Sequence, residues 1–568
     1  MILSPQEKIR ALTAKGWWGH ETIDSLFRRA VADVPDREAV ADAPNRATFT
    51  DGDPRRLNFA ELDAYVNAVA DRLLRSGIDK DDIVTMQLPN IVEAAAVLLA
   101  CSRIGAVLSP IAVQYRENEL EHIFRVLKPK AFVTITNVGG HNPARLVAGM
   151  QVPSLGAILA WGNDVPDGAL ALDDLAGSRA ADERVAAHLA AHPLDANDIV
   201  TVCWTSGTES RPKGVPRSHN HWIAIGKIVA TTVGVQNGYR ILNPFPMVNM
   251  ASIGGVVLPW LLYQGTMVLH QPFHLPTFLQ QTAEERINYN LAPPAVLNML
   301  LKQSALWANL DFSNLRAVGS GSAPLAPWMM KAWQEDYGIN VVNLFGSNEG
   351  CALVSSAIDV PDPEQRAHFF PRFGVEGFTW ACSDVLTLET QLVDPATGRV
   401  VTDPGAEGEL RLRGATVFDG YYGDEELNRS AFDDEGFFRT GDLFTIAGDG
   451  DRPQFYHFVG RLKEIIIRGG QNISPAEIDG LIDGHPKIAE AAVVGIPDEI
   501  MGERVCAVVV PRPGETVTLE DITAHLKERH VAIYKWPERV VSVPALPRNQ
   551  LGKVVRSNLR EMVAQVPA

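Results

Sequence analysis

Short apolar runs alternate with amphipathic stretches over the first two hundred or so residues, and that alternation restricts the architecture more than any other feature. The stretch 57–76 has helical periodicity, 82–88 reads as a short apolar strand, 92–104 as a buried helix and 105–111 as another strand. Further strand-like runs follow at 131–135, 156–161 and 199–204, and a helix is expected from about His219. Strands separated by helices build a mostly parallel sheet covered on both faces. After Glu376 the texture changes. Runs at 388–393, 408–413 and 455–459 are separated by Gly, Pro and Asp turns, which predicts a β-rich subdomain over about 377–462. The string GRLKEIIIRGG at 460–470 marks a boundary, and the segments 475–484, 489–496, 505–510 and 519–529 beyond it suffice for a small α/β domain. The expected fold class is therefore α/β: a large multi-subdomain N-terminal domain, residues 1–462, with parallel sheets flanked by helices, and a small α/β C-terminal domain, residues 463–568.

The formal net charge of −17 argues against a nucleic-acid partner or an anionic lipid surface, and it requires a locally basic pocket for any anionic ligand. Five cysteines, odd in number and without a CxxC pair, argue against a disulfide scaffold or a zinc site and for a reducing, cytoplasmic compartment. The first twenty residues lack the apolar core of a secretory signal. Two apolar stretches remain. The first, 91–114, is interrupted by Glu93 and Arg103, and the second, 252–270, by three glycines, Pro259 and Gln264. Charges and Pro/Gly clusters are costly at bilayer depth, so both are expected inside a water-soluble core and no membrane span is expected.

A strand-like run at 199–204 leads straight into Thr205-Ser206-Gly207-Thr208-Glu209-Ser210-Arg211-Pro212-Lys213-Gly214. Hydroxyls, exposed N–H groups, a permissive glycine and one cation suit phosphate oxygens, although the GxxxxGK[ST] spacing is absent. By itself the string is equally a polar surface loop. Further strings follow in order: Asn343-Leu344-Phe345-Gly346-Ser347-Asn348-Glu349-Gly350, Arg439-Thr440-Gly441-Asp442, Gly460-Arg461-Leu462-Lys463-Glu464, and Leu546 to Lys553. Singly, Asp442 reads as a turn former, Arg461 as half of a surface ion pair, Phe345 as core and Lys553 as a loop lysine. Their joint order makes that set of readings untenable.

Together these strings resemble the adenylate-forming superfamily, which comprises acyl-CoA synthetases, adenylation domains and luciferases, from about Trp17 to Arg560. The resemblance implies that the C-terminal domain is mobile and that the active site lies between the domains. It implies that Thr205, Ser206, Gly207, Thr208 and Lys213 hold the β- and γ-phosphates of ATP, with Asn343, Gly346 and Asn348 in the same nucleotide site. Gly321, Ser322 and Ala323 match the adenine-side loop, and Phe345 stands where an aromatic residue, usually Tyr, stacks on adenine. Glu349 matches the carboxylate that helps hold Mg²⁺, Asp442 the acceptor of both ribose hydroxyls, and Arg461 its helper. Lys463 occupies the hinge position, Gly469 and Gly470 line the approach of the CoA thiol, and Lys553 meets the reacting carboxylate and the α-phosphate. The catalytic set implied is Lys553, Glu349 and Lys463.

Three departures stand out. Glu209 and Ser210 replace the usual Thr-Gly of the phosphate loop, Asn348 replaces a common Thr, and Asn249 lies where many relatives carry a histidine. Aryl-acid adenylating relatives use an Asn nearby. The acid pocket is expected around Asn249, Gly254, Gly319 and Gly321, with Met247, Met250, Met299 and Trp204 nearby; its apolar character implies an aliphatic, alicyclic or aromatic acid. The His219–His221 pair lacks a third ligand and reads as structural. The reading is an AMP-forming acyl-CoA synthetase; the alternative is a stand-alone adenylating enzyme that loads a carrier protein. The oligomeric state stays open, a homodimer included.

Overall fold

The computed structural model describes the whole chain except residues 174, 176, 206–211, 323, 351, 383–386, 448–452, 469–470, 499–500, 530, 532, 550–552 and 567–568, and the side chains of 471 and 472. Two large sheets carry the N-terminal part. One has seven strands in the spatial order Leu170–Ala171, Ala157–Trp161, Ala131–Ile135, Ile83–Gln87, Val107–Pro110, Ile199–Trp204 and Gly214–Ser218; every neighbouring pair is parallel except the last. The other has eight strands, parallel except at its two ends, where Ala352–Ser355 and Arg56–Asn58 run antiparallel.

The helix Val92–Ile104 packs on the seven-stranded sheet, against Ile83–Gln87 and Val107–Pro110, and all of its residues are buried. The two charges that spoke against a membrane reading are buried with it. Arg46 donates to both carboxylate oxygens of Glu93 at 2.9 and 3.0 Å, and Arg103 reaches Asp24 at 2.8 Å and Asp63 at 2.7 Å. Pairing makes this burial tolerable, because breaking such a pair would leave an uncompensated charge in the core. No helix among the described residues is long and apolar enough to cross a membrane.

A six-stranded antiparallel sheet follows, in the order Phe369–Pro371, Phe455–Arg461, Phe438–Ile446, Glu407–Gly414, Leu388–Val393 and Val400–Val401. Its first strand joins from outside the span 377–462. Leu388, Leu410, Leu412 and Phe444 share one continuous apolar cluster with the helix Val92–Ile104. The segment beyond has its own sheet, built on the strands Ile488–Asp498 and Gly502–Pro511, and two apolar clusters of its own, around Ile466–Leu526 and Val494–Val563.

The His219–His221 pair is structural. Ser218 caps the helix His219–Val233: its Oγ accepts from His221 N at 3.2 Å, and His221 Nδ1 accepts from Ser218 N at 3.1 Å. His221 thus takes the part that Glu or Gln plays in a capping box. His219 Nδ1 accepts from Ile23 N at 3.1 Å. Burial lowers the pKa of both rings, to about 4 for His219 and about 3 for His221.

Candidate active site

The site lies where several strands end at their carboxyl edges, the position at which open α/β sheets bind ligands. The strand Ile199–Trp204 delivers Thr205, and its antiparallel partner Gly214–Ser218 delivers Lys213. Thr205 N donates to Lys213 O at 3.0 Å, which closes the neck of the loop. Ser206, Gly207, Thr208, Glu209 and Ser210 lie outside the described residues, as do Ala323, Gly469 and Gly470.

Glu349 faces this neck from the turn after the strand Asn340–Gly346. Its Oε1 accepts from the Tyr421 hydroxyl at 3.0 Å, and Lys213 Nζ lies 5.1 Å from the centre of the Tyr421 ring. Burial, and then the Glu349 charge, pushes the Tyr421 pKa well above the ordinary tyrosine value, so Tyr421 remains a donor. The turn is fixed by Gly350, whose φ is +112° and where a Cβ would stand 2.1 Å from Thr416 O. Only glycine fits there. Asn348 ties three elements together. Its Oδ1 accepts from Met250 N at 2.9 Å, its Nδ2 donates to Trp204 O at 3.1 Å, and its carbonyl accepts from Arg217 Nε at 2.8 Å. Arg217 is fully buried, which lowers its pKa to about 10, and Glu349 and Asp419 oppose that fall. Tyr421 carries no signal in the sequence: it is 72 residues from Glu349, and nothing local announces the pairing.

The adenine-side strand Ala317–Gly321 runs parallel to Asn340–Gly346. A Cβ on Gly321 would lie 2.0 Å from Leu344 O, and Ser322 has φ +73°. A non-glycine residue in the left-handed region beside an intolerant glycine is the sort of strain that gathers at functional sites. Phe345 is half-buried, and its ring is backed by Phe370, Phe444 and Phe458 at 5.1–5.9 Å. Asn343 is buried, and its amide donates to Arg366 O and Ala367 O at 3.1 Å each, so its donors serve the fold. Gly346 is exposed at the end of its strand.

Asp442 pairs in register with Arg461 across two antiparallel strands. Its Oδ1 is buried and makes no hydrogen bond among the described residues; Arg461 Nε is 3.0 Å away, off the hydrogen-bond line. Burial raises its pKa to about 6, against the opposing pull of Arg461 and then Lys553. Lys553, in the C-terminal segment, is near enough for its charge to act on Asp442. Its side chain keeps solvent access, yet the surrounding protein and then the Arg461 charge hold its pKa below the ordinary lysine value, while Asp442 and Glu464 act in the opposite sense. Lys463 is exposed in the turn between the strands Phe455–Arg461 and Ile466–Arg468.

The remaining predicted residues surround a separate apolar region. Asn249 caps the short helix Met250–Ser252, its Oδ1 accepting from Ser252 N at 3.3 Å. The chain continues as a π-helical turn, Ile253–Val257, a form that often marks functional positions. A Cβ on Gly254 would meet Ile225 at 2.6 Å; one on Gly319 would meet Leu291 at 2.5 Å, Leu344 at 2.8 Å and the Tyr289 hydroxyl at 2.9 Å. Met250 packs against Gly254, whereas Met299 packs into a different cluster with Leu297 and Leu300. Its position on the helix Pro294–Lys302 turns it the other way.

The fold is that of an enzyme with a large α/β body and a small C-terminal unit. The family model "AMP-binding enzyme" matches residues 27–422, and "AMP-binding enzyme C-terminal domain" matches 477–553. The chain belongs to the AMP-binding enzyme family, and within it is an ATP-dependent, AMP-forming carboxylic acid–CoA ligase that activates a hydrophobic acid. It is 30% identical to the medium-chain fatty-acid–CoA ligase of Escherichia coli (strain K12), over 98% of this chain and 93% of that one. It is also 30% identical to a feruloyl-CoA synthase of an Amycolatopsis species, over 89% and 93%. Among solved structures, ATP-bound MatB from Rhodopseudomonas palustris superposes with a TM-score of 0.76 at 25% identity, covering 96% of this chain and 99% of that one.

Proposed function

We propose that Lys553, Asp442, Arg461, Glu349, Lys213 and Thr205 form one adenylation site, and that CoA rather than a carrier protein accepts the acyl group. The observation that carries this reading is the buried, unsatisfied Asp442 Oδ1 beside Arg461 and Lys553. A buried carboxylate oxygen left without a hydrogen bond costs roughly 1–3 kcal/mol, a cost that the Arg461 ion pair offsets in part and a ribose hydroxyl would relieve further. Phe345 then offers a ring to adenine, while Lys213 and Thr205 stand at the mouth of the triphosphate loop. Glu349 and the Thr205 hydroxyl, with phosphate oxygens, make an all-oxygen donor set that suits Mg²⁺, which would neutralise phosphate charge.

The acid's carboxylate oxygen attacks the α-phosphorus, and the bond to pyrophosphate breaks. Both reactants are anionic, so charge builds at the α-phosphate, where Lys553 donates. Thioester formation follows: the thiol sulfur, after losing its proton, attacks the acyl carbon, and AMP leaves. The two half-reactions need different groups at one centre, which supports a C-terminal domain, residues 463–568, that moves about Lys463. Changing Gly470 to valine is expected to spare pyrophosphate release and to slow thioester formation; equal loss in both would remove Gly470 from the thiol path. Offering CoA or a phosphopantetheinyl carrier to the preformed acyl-adenylate tests the acceptor. A thioester with the carrier and none with CoA would overturn this reading.

One observation favours an aryl acid with a polar substituent within the hydrophobic class. The Tyr289 hydroxyl is fully buried without a hydrogen-bond partner among the described residues, and it abuts Gly319. A hydroxylated aromatic acid would satisfy it. Tyr289→Phe is then expected to lower kcat/KM for a hydroxylated aryl acid by roughly 2- to 13-fold and to leave the unsubstituted acid unchanged, since a net hydrogen bond is worth about 0.5–1.5 kcal/mol. Parallel loss on both acids would make Tyr289 a packing residue only.

A further inference from the structure

Asp79, His188 and His192 stand together, and none of them belongs to the candidate nucleotide site. Each offers one ligand atom, and these atoms all lie within 4.8 Å of one another. His188 lies on the last turn of the helix Arg179–Ala191 and His192 is its C-cap, so the two are four residues apart, on one face. Asp79 comes from the turn before the strand Ile83–Gln87. His188 Nδ1 is 3.8 Å and His192 Nε2 3.6 Å from Asp79 Oδ1, too far for hydrogen bonds. The two rings lie 4.7 Å apart, inclined by 31°.

The outer contacts decide the chemistry. His188 Nε2 lies 2.8 Å from the carbonyl oxygen of Ile104, which can only accept, so Nε2 carries the proton. In neutral His188 the lone pair is then on Nδ1, aimed at a carboxylate oxygen. Asp79 Oδ1 is itself oriented by Lys80 N at 2.7 Å. An imidazole whose far nitrogen donates to a carbonyl, facing a second imidazole and a carboxylate, is an arrangement that can hold a transition metal.

We propose that Asp79, His188 and His192 bind one divalent transition-metal ion of the Zn²⁺ class, with water completing the shell. Two nitrogens and one oxygen suit Zn²⁺ or Co²⁺ better than Mg²⁺ or Ca²⁺. Bonds of about 2.0–2.1 Å in a tetrahedron need ligand atoms roughly 3.3 Å apart, so the 3.8 and 3.6 Å separations from Asp79 Oδ1 must close by roughly 0.3–0.5 Å. The Asp79 and His192 side chains are 59% and 41% exposed and free to make that movement, whereas His188, at 10%, is the fixed ligand. The ion would staple the helix preceding the strand Ile199–Trp204 to the turn preceding Ile83–Gln87, and so brace the sheet that delivers Thr205.

The test uses full-length protein stripped with EDTA, titrated with Zn²⁺ by calorimetry and with Co²⁺ by visible absorption. Wild type is expected to bind one Zn²⁺, to develop an intense tetrahedral Co²⁺ band, and to gain about 2–3 °C in thermal midpoint at saturating Zn²⁺. His192→Ala and Asp79→Asn should each weaken binding at least 10-fold and abolish the Co²⁺ band and the shift, with unchanged pyrophosphate release. No saturable binding by wild type, or equal binding by wild type and both variants, would overturn the site.

Discussion

Replacing Lys553 with alanine is expected to slow acid-dependent pyrophosphate release by about 10²–10³-fold, the loss that follows removal of one positioned donor to developing charge. The fold should survive, because the local structure depends on main-chain atoms and on Asn549. Lys553 N donates to Asn549 Oδ1 at 3.0 Å, Asn549 N donates to Lys553 O at 2.8 Å, and Arg548 pairs with Val554. Alanine keeps all of these. The effect should also be confined to one half-reaction: supplied with preformed acyl-adenylate and CoA, the variant should make thioester at close to the wild-type rate. Quench-flow of each half-reaction, with circular dichroism melts of both proteins, checks this. Pyrophosphate release within about twofold of wild type would remove Lys553 from the site.

Asp442→Asn is expected to raise KM for ATP by roughly 10–150-fold, since hydrogen bonds to a charged acceptor are worth about 1.5–3 kcal/mol. It should affect folding in the opposite sense. The Asp442 pKa is about 6 in the folded protein, above its ordinary value of 3.8, because burial penalises the anion more than Arg461 and Lys553 favour it. Between about pH 4 and pH 6 the folded state therefore holds a proton that the unfolded chain has released, and this residue's contribution to stability falls as pH rises through that window. Asparagine should flatten that slope. Nucleotide affinity should run the other way in wild type, weakening as pH drops below about 6, where the acceptor becomes protonated. Denaturation midpoints and nucleotide titrations from about pH 4 to 8 read both; an asparagine variant with unchanged KM for ATP would exclude Asp442 from ribose binding.

Much of the frame was legible because it is written in local signals. The helix Val92–Ile104 has the predicted ends, set by a glycine in the left-handed region at 105, and the helix at His219 starts where Ser218 can cap it. The alternation of strands and helices predicts the parallel sheets, and the Gly- and Asp-punctuated runs after Glu376 predict the antiparallel one. What escaped the sequence is pairing at a distance. Tyr421 and Glu349 belong to separate segments, as do Arg217 and Thr416, and no periodicity joins them. Met299 was expected near the acid because of its position in the chain, but the helix it sits on turns it to another cluster. The amides of Asn343 and Asn348 hold backbone carbonyls and an N–H from distant segments, contacts that no local signal announces.

The central claim is that this chain joins a carboxylate to AMP at the crevice containing Lys553 and Asp442. Acid-dependent exchange of labelled pyrophosphate into ATP, measured without CoA across short, long, cyclic and aromatic acids, tests it most directly. The account predicts exchange that requires one hydrophobic class of acid, is lost in Lys553→Ala, and gives way to acyl-CoA and AMP when CoA is added. ADP as the nucleotide product, or no exchange with any acid by a protein that binds ATP, would contradict it.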